Sequence, residues 1–450
     1  MREESAAPRQ TLSIFDGLVL VVGMVVGIGI FAMPAQVALF AGNSFNYMAL
    51  WLVGGVLALN GALCYAELAS RFPGAGGEYN FLSRGYGRHV ALMFAWARCS
   101  VIQTGSIALV AFVYGDYAQS LLPLGAYGAA IHAAIIIVIF TGINMAGTFQ
   151  GALAQKVFTS MDLIALVLLL AAGAVLMLGG GNAAPAPTAP ASGGGMSGMI
   201  GLAIVFVMLT FGGWNESAYL SAELKDGKRN MVRVLVLSIL LVTALYFAVA
   251  FIYLQAVGYE ALTKSSTIAA DVMGAAFGPW GAKAIALFIC GAAISTLNAT
   301  IFTGARIYYA LGRDLPWLEK FGRWNAAGEN PANAFALQGA VALTLVALAA
   351  NLEKGGLQTM VDYITPVFWL FMILVGVALF VFRMRGQGED GFRVPLYPVT
   401  PAIFVATCLY MLWSSVDYVR DGTFWGLAML LAGVPLLFFK GGKSAPDKAE

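Results

Sequence analysis

Long apolar runs constrain this chain more than any other feature. The run 18–40, for example, contains no charged residue. About 20 consecutive apolar residues cross a bilayer as one helix, and in lipid the backbone polar groups must be satisfied within the segment. With 60% hydrophobic and only 11% charged residues over 450 positions, the chain lies outside the range of soluble domains. It is predicted to be an all-α integral membrane protein. Twelve spans can be read, at 15–41, 44–70, 90–122, 127–145, 159–178, 199–222, 232–257, 281–311, 334–350, 358–382, 400–416 and 424–439.

The basic residues orient these spans. Twenty of the 25 Lys and Arg side chains fall in one set of alternate loops, four (Lys264, Lys283, Lys354, Arg420) in the other set, and Arg98 within a span. Basic loops stay on the cytoplasmic side, so both termini are expected there. The polar start Met1 to Gln10 and the long run after it argue against a cleavable leader. The expected organisation is a cytoplasmic tail 1–14, spans 1–5 over 15–178, an external Ala/Pro/Gly-rich linker 179–198, spans 6–10 over 199–382, peripheral spans 11–12 over 383–440, and a tail 441–450. Because five is odd, the two five-span halves have opposite orientation. Cys64, Cys99, Cys290 and Cys408 all fall in apolar runs and read as buried thiols. His89 and His132 lack metal-ligand spacing. A net charge of +2 gives no basis for nucleic-acid binding.

Two spans carry glycine breaks at matching places in the two halves. The first is Gly27-Ile28-Gly29, flanked by Val26 and Ile30; the second is Phe211-Gly212-Gly213-Trp214-Asn215-Glu216, preceded by Leu209. An interrupted helix in lipid bares N–H and C=O groups, which is tolerated where they line a cavity. Paired breaks in two halves point to a substrate site near the midplane. The half-helix starting in span 1 offers N–H groups and a positive dipole end to a carboxylate. The half-helix ending in span 6 offers carbonyls and a negative end to an ammonium. A zwitterion fits both, with Trp214 as wall or gate. The plainer readings are that the glycines allow close helix packing, that Trp214 is core, and that Glu216 partners nearby backbone or an arginine.

Gly27-Ile28-Gly29-Ile30-Phe31 resembles the glycine-rich signature of the amino acid–polyamine–organocation transporters. So do Tyr65-Ala66-Glu67-Leu68 with Arg71-Phe72-Pro73 and Gly76-Gly77-Glu78-Tyr79, the stretch 211–223 running into Lys228-Arg229-Asn230, and Arg393-Val394-Pro395-Leu396-Tyr397-Pro398 with Thr400-Pro401. The order is kept along nearly the whole chain. The resemblance implies a LeuT-like fold of two inverted five-helix repeats, with spans 1 and 6 unwound around an amino acid, and alternating access. Gly212-Gly213-Trp214-Asn215 and Leu297-Asn298-Ala299 look most like the L-type exchangers. Two positions depart from them: Ile28 stands where they carry a serine, and their span-6 aromatic gate falls on Leu209 or shifts to Phe211. The loop 123–127 has no cysteine, so the disulfide those exchangers make to a partner subunit has no anchor there.

Asp162, inside span 5, stands where those exchangers carry a lysine. Three readings are open. It completes a sodium cage with Gly23, Val26, Ser295 and Asn298, positions implied by sodium symporters of the same fold; it carries a proton; or it pairs with Arg98. Gln103 and Ser106 either line the pocket or bind neighbouring helices. Glu67 and Arg306 are expected to close an inner gate. No nucleophile–base pair or metal cluster suggests an enzyme, and no cofactor beyond a coupling sodium ion is implied. The expected activity is secondary active transport of a small to medium neutral amino acid, by symport or antiport across the cell membrane. Transport of basic amino acids or polyamines, with Glu216 as their partner, is the alternative, and a channel is the alternative of another class.

Overall fold

The computed structural model describes residues 13–72, 77–147, 152–178, 196–215, 224, 227–314, 316–323, 330–352, 355–387, 392–418 and 420–438. The first helix, α1 (Ile14–Val25), begins at a capping box in which Ser13 and Asp16 exchange side-chain and backbone hydrogen bonds. A break follows, then α2 (Gly29–Ala41), ended by Gly42 at φ +77°. Asn43 caps α3 (Ser44–Arg71) through a 2.8 Å bond from the Asn46 N–H. A short helix, α4 (Gly77–Tyr86), leads to α5 (Arg88–Ala97), which runs through a π-helical segment, Arg98–Gln103, into α6 (Thr104–Leu121). Then come α7 (Gly128–Ala146), α8 (Ala152–Leu178), α9 (Met196–Thr210), α10 (Gly227–Val257), α11 (Tyr259–Lys264), α12 (Ile268–Asp314), α13 (Ala332–Ala349), α14 (Gly356–Met384), α15 (Val399–Tyr418) and α16 (Arg420–Leu431).

Among the described residues nine helices are long and apolar enough to cross a bilayer, and α1 with α2, bent by 53°, makes a tenth. Met199–Thr210 and Trp425–Phe438 are shorter apolar helices. The protein is therefore a multi-pass, all-helical membrane protein. Three regions differ from the sequence expectation. The third span, expected over 90–122, is underwound at its centre into the π-segment. The helix expected from 281 already starts at Ile268 and kinks at Gly278-Pro279, where Gly278 has φ +71° and proline cannot supply an N–H. The α8 helix begins at Ala152 rather than 159. The expected linker lies outside the described residues as far as 195.

The chain divides into two compact units. The first comprises Met1–Ala91, Leu168–Gly281 and Trp369–Tyr418; the second comprises Leu92–Val167, Ala282–Phe368 and Val419–Glu450. In the first unit α2 packs on α9, α10 lies against α1 and α3, and α15 covers α9 and α3. In the second, α6, α7 and α13 pack on one another, and α16 contacts the π-segment. Both glycine breaks belong to the first unit.

Candidate functional site

Span 1 is interrupted at Val26-Gly27-Ile28. Val26 turns extended, with φ −76° and ψ 107°, after its N–H has closed the last turn of α1 on the Val22 carbonyl. The next helix starts at Gly29, and no side chain caps its first turn. Span 6 ends its helix at Thr210. Phe211 and Gly212 still bond back to Val207 and Leu209, at 3.0 and 3.1 Å, and Gly213 then adopts φ +105°. Side chains rarely tolerate that conformation.

The two breaks lie against each other. A Cβ on Gly213 would collide with the Met24 carbonyl oxygen, and a Cβ on Gly29 would sit 3.2 Å from the Thr210 Cα. The ends of α1 and α9 thus converge, each bringing the carbonyl-rich, negative end of a helix, while α2 brings its N–H-rich, positive end. From α10, the buried Tyr246 hydroxyl reaches both terminal carbonyls, Val25 at 2.8 Å and Thr210 at 3.2 Å. A phenol has one proton to donate, so the two oxygens share it. Tyr253, two turns further along α10, donates to the Ile30 carbonyl at 3.1 Å. Tyr246 is held edge-on by Trp51 and Phe211.

The remaining span-1 and span-6 candidates separate by burial. Val26, Ile28 and Ile30 are buried, and no described atom lies within 4 Å of where a Gly27 Cβ would be. Phe211 is wholly buried, whereas Leu209 is only partly covered. Of the two gate positions, Leu209 is thus the one with a face left open. Trp214 is buried, fits over Gly61 and meets the rings of Tyr65 and Phe404 at 5.1 and 6.2 Å, which is a packing role between α3 and α15. Asn215 donates to the buried Glu78 carboxylate of α4 at 3.0 Å. Glu216 lies outside the described residues.

Gln103 and Ser106 belong to the second unit. The Gln103 amide donates to the Thr300 carbonyl at 2.8 Å and to the Thr303 hydroxyl at 3.3 Å, and Ser106 donates to the Ile102 carbonyl at 2.7 Å. The sodium set is divided, with Gly23 and Val26 in the first unit and Asp162, Ser295 and Asn298 in the second. Asn298 Oδ1 accepts a 2.8 Å bond from the Asn144 amide. Asp162 is buried, and its Oδ1 has no hydrogen-bond partner among the described residues. No ion pair joins it to Arg98 there. Glu67 is fully buried and saturated within the first unit: Arg383 grips it through Nε at 2.8 Å and Nη2 at 2.6 Å, Arg71 adds a 2.9 Å contact, and the Val394 N–H a 2.6 Å bond. Arg306 instead stacks on the Phe302 ring at 3.6 Å.

Three sets of residues were not singled out in the sequence. They are the α10 tyrosines; Thr210, whose backbone faces Gly29; and the two tyrosines, Tyr308 and Tyr363, that serve the π-segment. In that segment Tyr308 donates to the Cys99 carbonyl at 2.7 Å and Tyr363 to the Ser100 carbonyl at 2.9 Å. A tyrosine in an apolar span carries no local sign that its hydroxyl serves a distant break.

Residues 12–433 match the family described as amino acid permease. The serine/threonine exchanger SteT of Bacillus subtilis (strain 168) is 26% identical over 444 residues, covering 97% of this chain and 98% of that protein. The b(0,+)-type amino acid transporter 1 of Homo sapiens is 27% identical, covering 92% and 85% of the two chains. The large neutral amino acids transporter small subunit 2 of Homo sapiens is also 27% identical, covering 96% and 80%. A match over almost the whole chain, onto a helical membrane protein with two abutting helix breaks, identifies a transporter rather than an enzyme: the chain belongs to the amino acid permease family of the amino acid–polyamine–organocation superfamily.

Proposed function

We propose that this protein carries a small to medium neutral amino acid across the cell membrane by alternating access, with both termini cytoplasmic. The proposed frame is twelve spans, the first ten arranged as inverted five-span repeats over 15–178 and 199–382. The contact between the two breaks carries the reading. Within a few residues it offers uncapped N–H groups at Gly29 for a carboxylate and the carbonyl ends of α1 and α9 for an ammonium. Backbone holds both charged ends, so the side-chain pocket sets selectivity. Ile28 and Leu209 make it apolar, and Trp214 supports it from behind. Such a pocket discriminates by about 1–3 kcal/mol per methylene. Serine and threonine, named for the Bacillus relative, and the large neutral amino acids named for the human one fit this polarity better than cationic substrates do.

The test is a thermal-shift screen of amino acids on the purified protein, followed by flux in proteoliposomes. Neutral amino acids should stabilise it, and their uptake should saturate and be stimulated by the same amino acid on the far side. Stabilisation by arginine, lysine or putrescine alone would overturn the substrate class, and a non-saturating conductance would overturn the carrier.

A further inference from the structure

The span-6 break is tied to a helix that belongs to neither broken span. That helix is α4, ten residues long. In its first turn Glu78, 3% exposed, accepts the 3.0 Å bond from the Asn215 amide across 137 positions of sequence. The positive N-terminal end of a helix favours a carboxylate there, so α4 itself supports the charge on this acceptor. One turn further on, Phe81 meets Tyr65 edge-on at 6.3 Å, and Tyr65 meets Trp214 at 5.1 Å. Two consecutive residues of the break are thus held from α4, Trp214 by rings through Tyr65 and Asn215 directly.

The other end of α4 is fixed on α14. Tyr86 donates to the Leu374 carbonyl at 2.7 Å, and Gly85 lies so near that a Cβ there would sit 3.3 Å from the Ala378 Cβ. Arg385, just past α14, donates to the Arg84 carbonyl at 3.4 Å. Ten helical residues span about 15 Å, so α4 is a strut with α14 at one end and the span-6 break at the other. Between the strut and α9 stand Gly212 and Gly213, the latter at φ +105°. Glycine backbone is the least constrained by its own sterics. The direction of the α9 carbonyl end is therefore set by what grips the chain beside it, and a bond to a carboxylate is both strong and directional.

We propose that Glu78 is a positioning residue for the substrate. Through Asn215 it holds the span-6 backbone so that the carbonyl end of α9 points at the ammonium group, and it does not touch the substrate itself. The inference rests on the zwitterion binding proposed above and assigns the side chain that fixes one half of that grip.

The experiment measures calorimetric affinity on the full-length purified protein, for the amino acid that stabilises it best in the thermal-shift screen. Glu78→Ala should weaken binding by about tenfold, the scale of one lost charge-assisted hydrogen bond. Glu78→Gln keeps an acceptor oxygen for Asn215 and should recover most of that loss. The des-amino analogue, which has no ammonium group, should bind Glu78→Ala and the wild type alike, which a general loosening of the fold would not produce. Asn215→Asp sets two carboxylates against each other and should weaken binding at least as much as Glu78→Ala. Adding Glu78→Gln to it exchanges donor and acceptor and should restore affinity to within about threefold of the wild type, the pair being coupled rather than additive. Wild-type affinity in Glu78→Ala would overturn the positioning role and leave the transport reading intact. So would a double variant as weak as Asn215→Asp alone, since Asn215 would then act without Glu78; this comparison decides even where Glu78→Ala does not fold. A wild type that binds no amino acid would overturn the transport reading and this inference with it.

Discussion

Two regions depart from regular helix within the membrane, and both use tyrosine hydroxyls to serve the carbonyls so released. In the second unit the π-segment is closed: Cys99 and Ser100 each receive their own phenol, from Tyr308 and Tyr363, and Thr104 adds a third bond at 2.8 Å to Ser100. In the first unit two carbonyls at two helix ends share the single proton of Tyr246, and the facing first turn of α2 has no side-chain cap. Buried polar groups are ordinarily all paired. A site that leaves acceptors and donors under-served is prepared for a ligand, whereas one that pairs each group is prepared to stay folded.

Breaking the first region should therefore affect binding, and breaking the second should affect stability. The largest effect is expected from Gly213→Val. A side chain at φ +105°, directed at the Met24 carbonyl, combines backbone strain of about 1–3 kcal/mol with displacement of one break from the other. Amino acid binding by calorimetry should fall about 100-fold or more, while the protein still elutes as a monodisperse species in detergent. Next is Tyr246→Phe, which removes the shared donor without changing shape. Misplaced carbonyls should weaken binding by about 10-fold, about 1.4 kcal/mol. The contrast sharpens with Tyr308→Phe and Tyr363→Phe. Each removes one hydrogen bond worth about 1 kcal/mol, so apparent melting temperature should drop by a few degrees while affinity stays within about threefold. Thr104→Val should do least, because Ser100 keeps its bond from Tyr363. Affinity that fell as far for Tyr363→Phe as for Tyr246→Phe would erase the distinction between the two regions.

The first region was legible in the sequence because glycine pairs within an uncharged run have few other uses in lipid. The positions of most helices were legible because hydrophobic length is a strong signal. The underwound stretch Arg98–Gln103 was not, since an inserted residue in a helical turn leaves no compositional mark. Tyr246 was invisible for a different reason: its role exists only once α10 lies beside α1 and α9, which is a matter of packing. Glu67 was read only as part of an inner gate, and its partners Arg383 and Val394 come from more than 300 residues away. Loop charge says which side a residue is on, not which neighbour it finds.

The central claim is that the backbone at the two breaks grips both charged ends of an amino acid. It is tested most directly by competing a bound radiolabelled amino acid with its des-amino analogue and with its methyl ester. The account predicts that the parent amino acid displaces the label while both analogues are weaker by about 100-fold or more, each lacking one charge-assisted set of bonds. Displacement by either analogue at the concentration that suffices for the parent would contradict it.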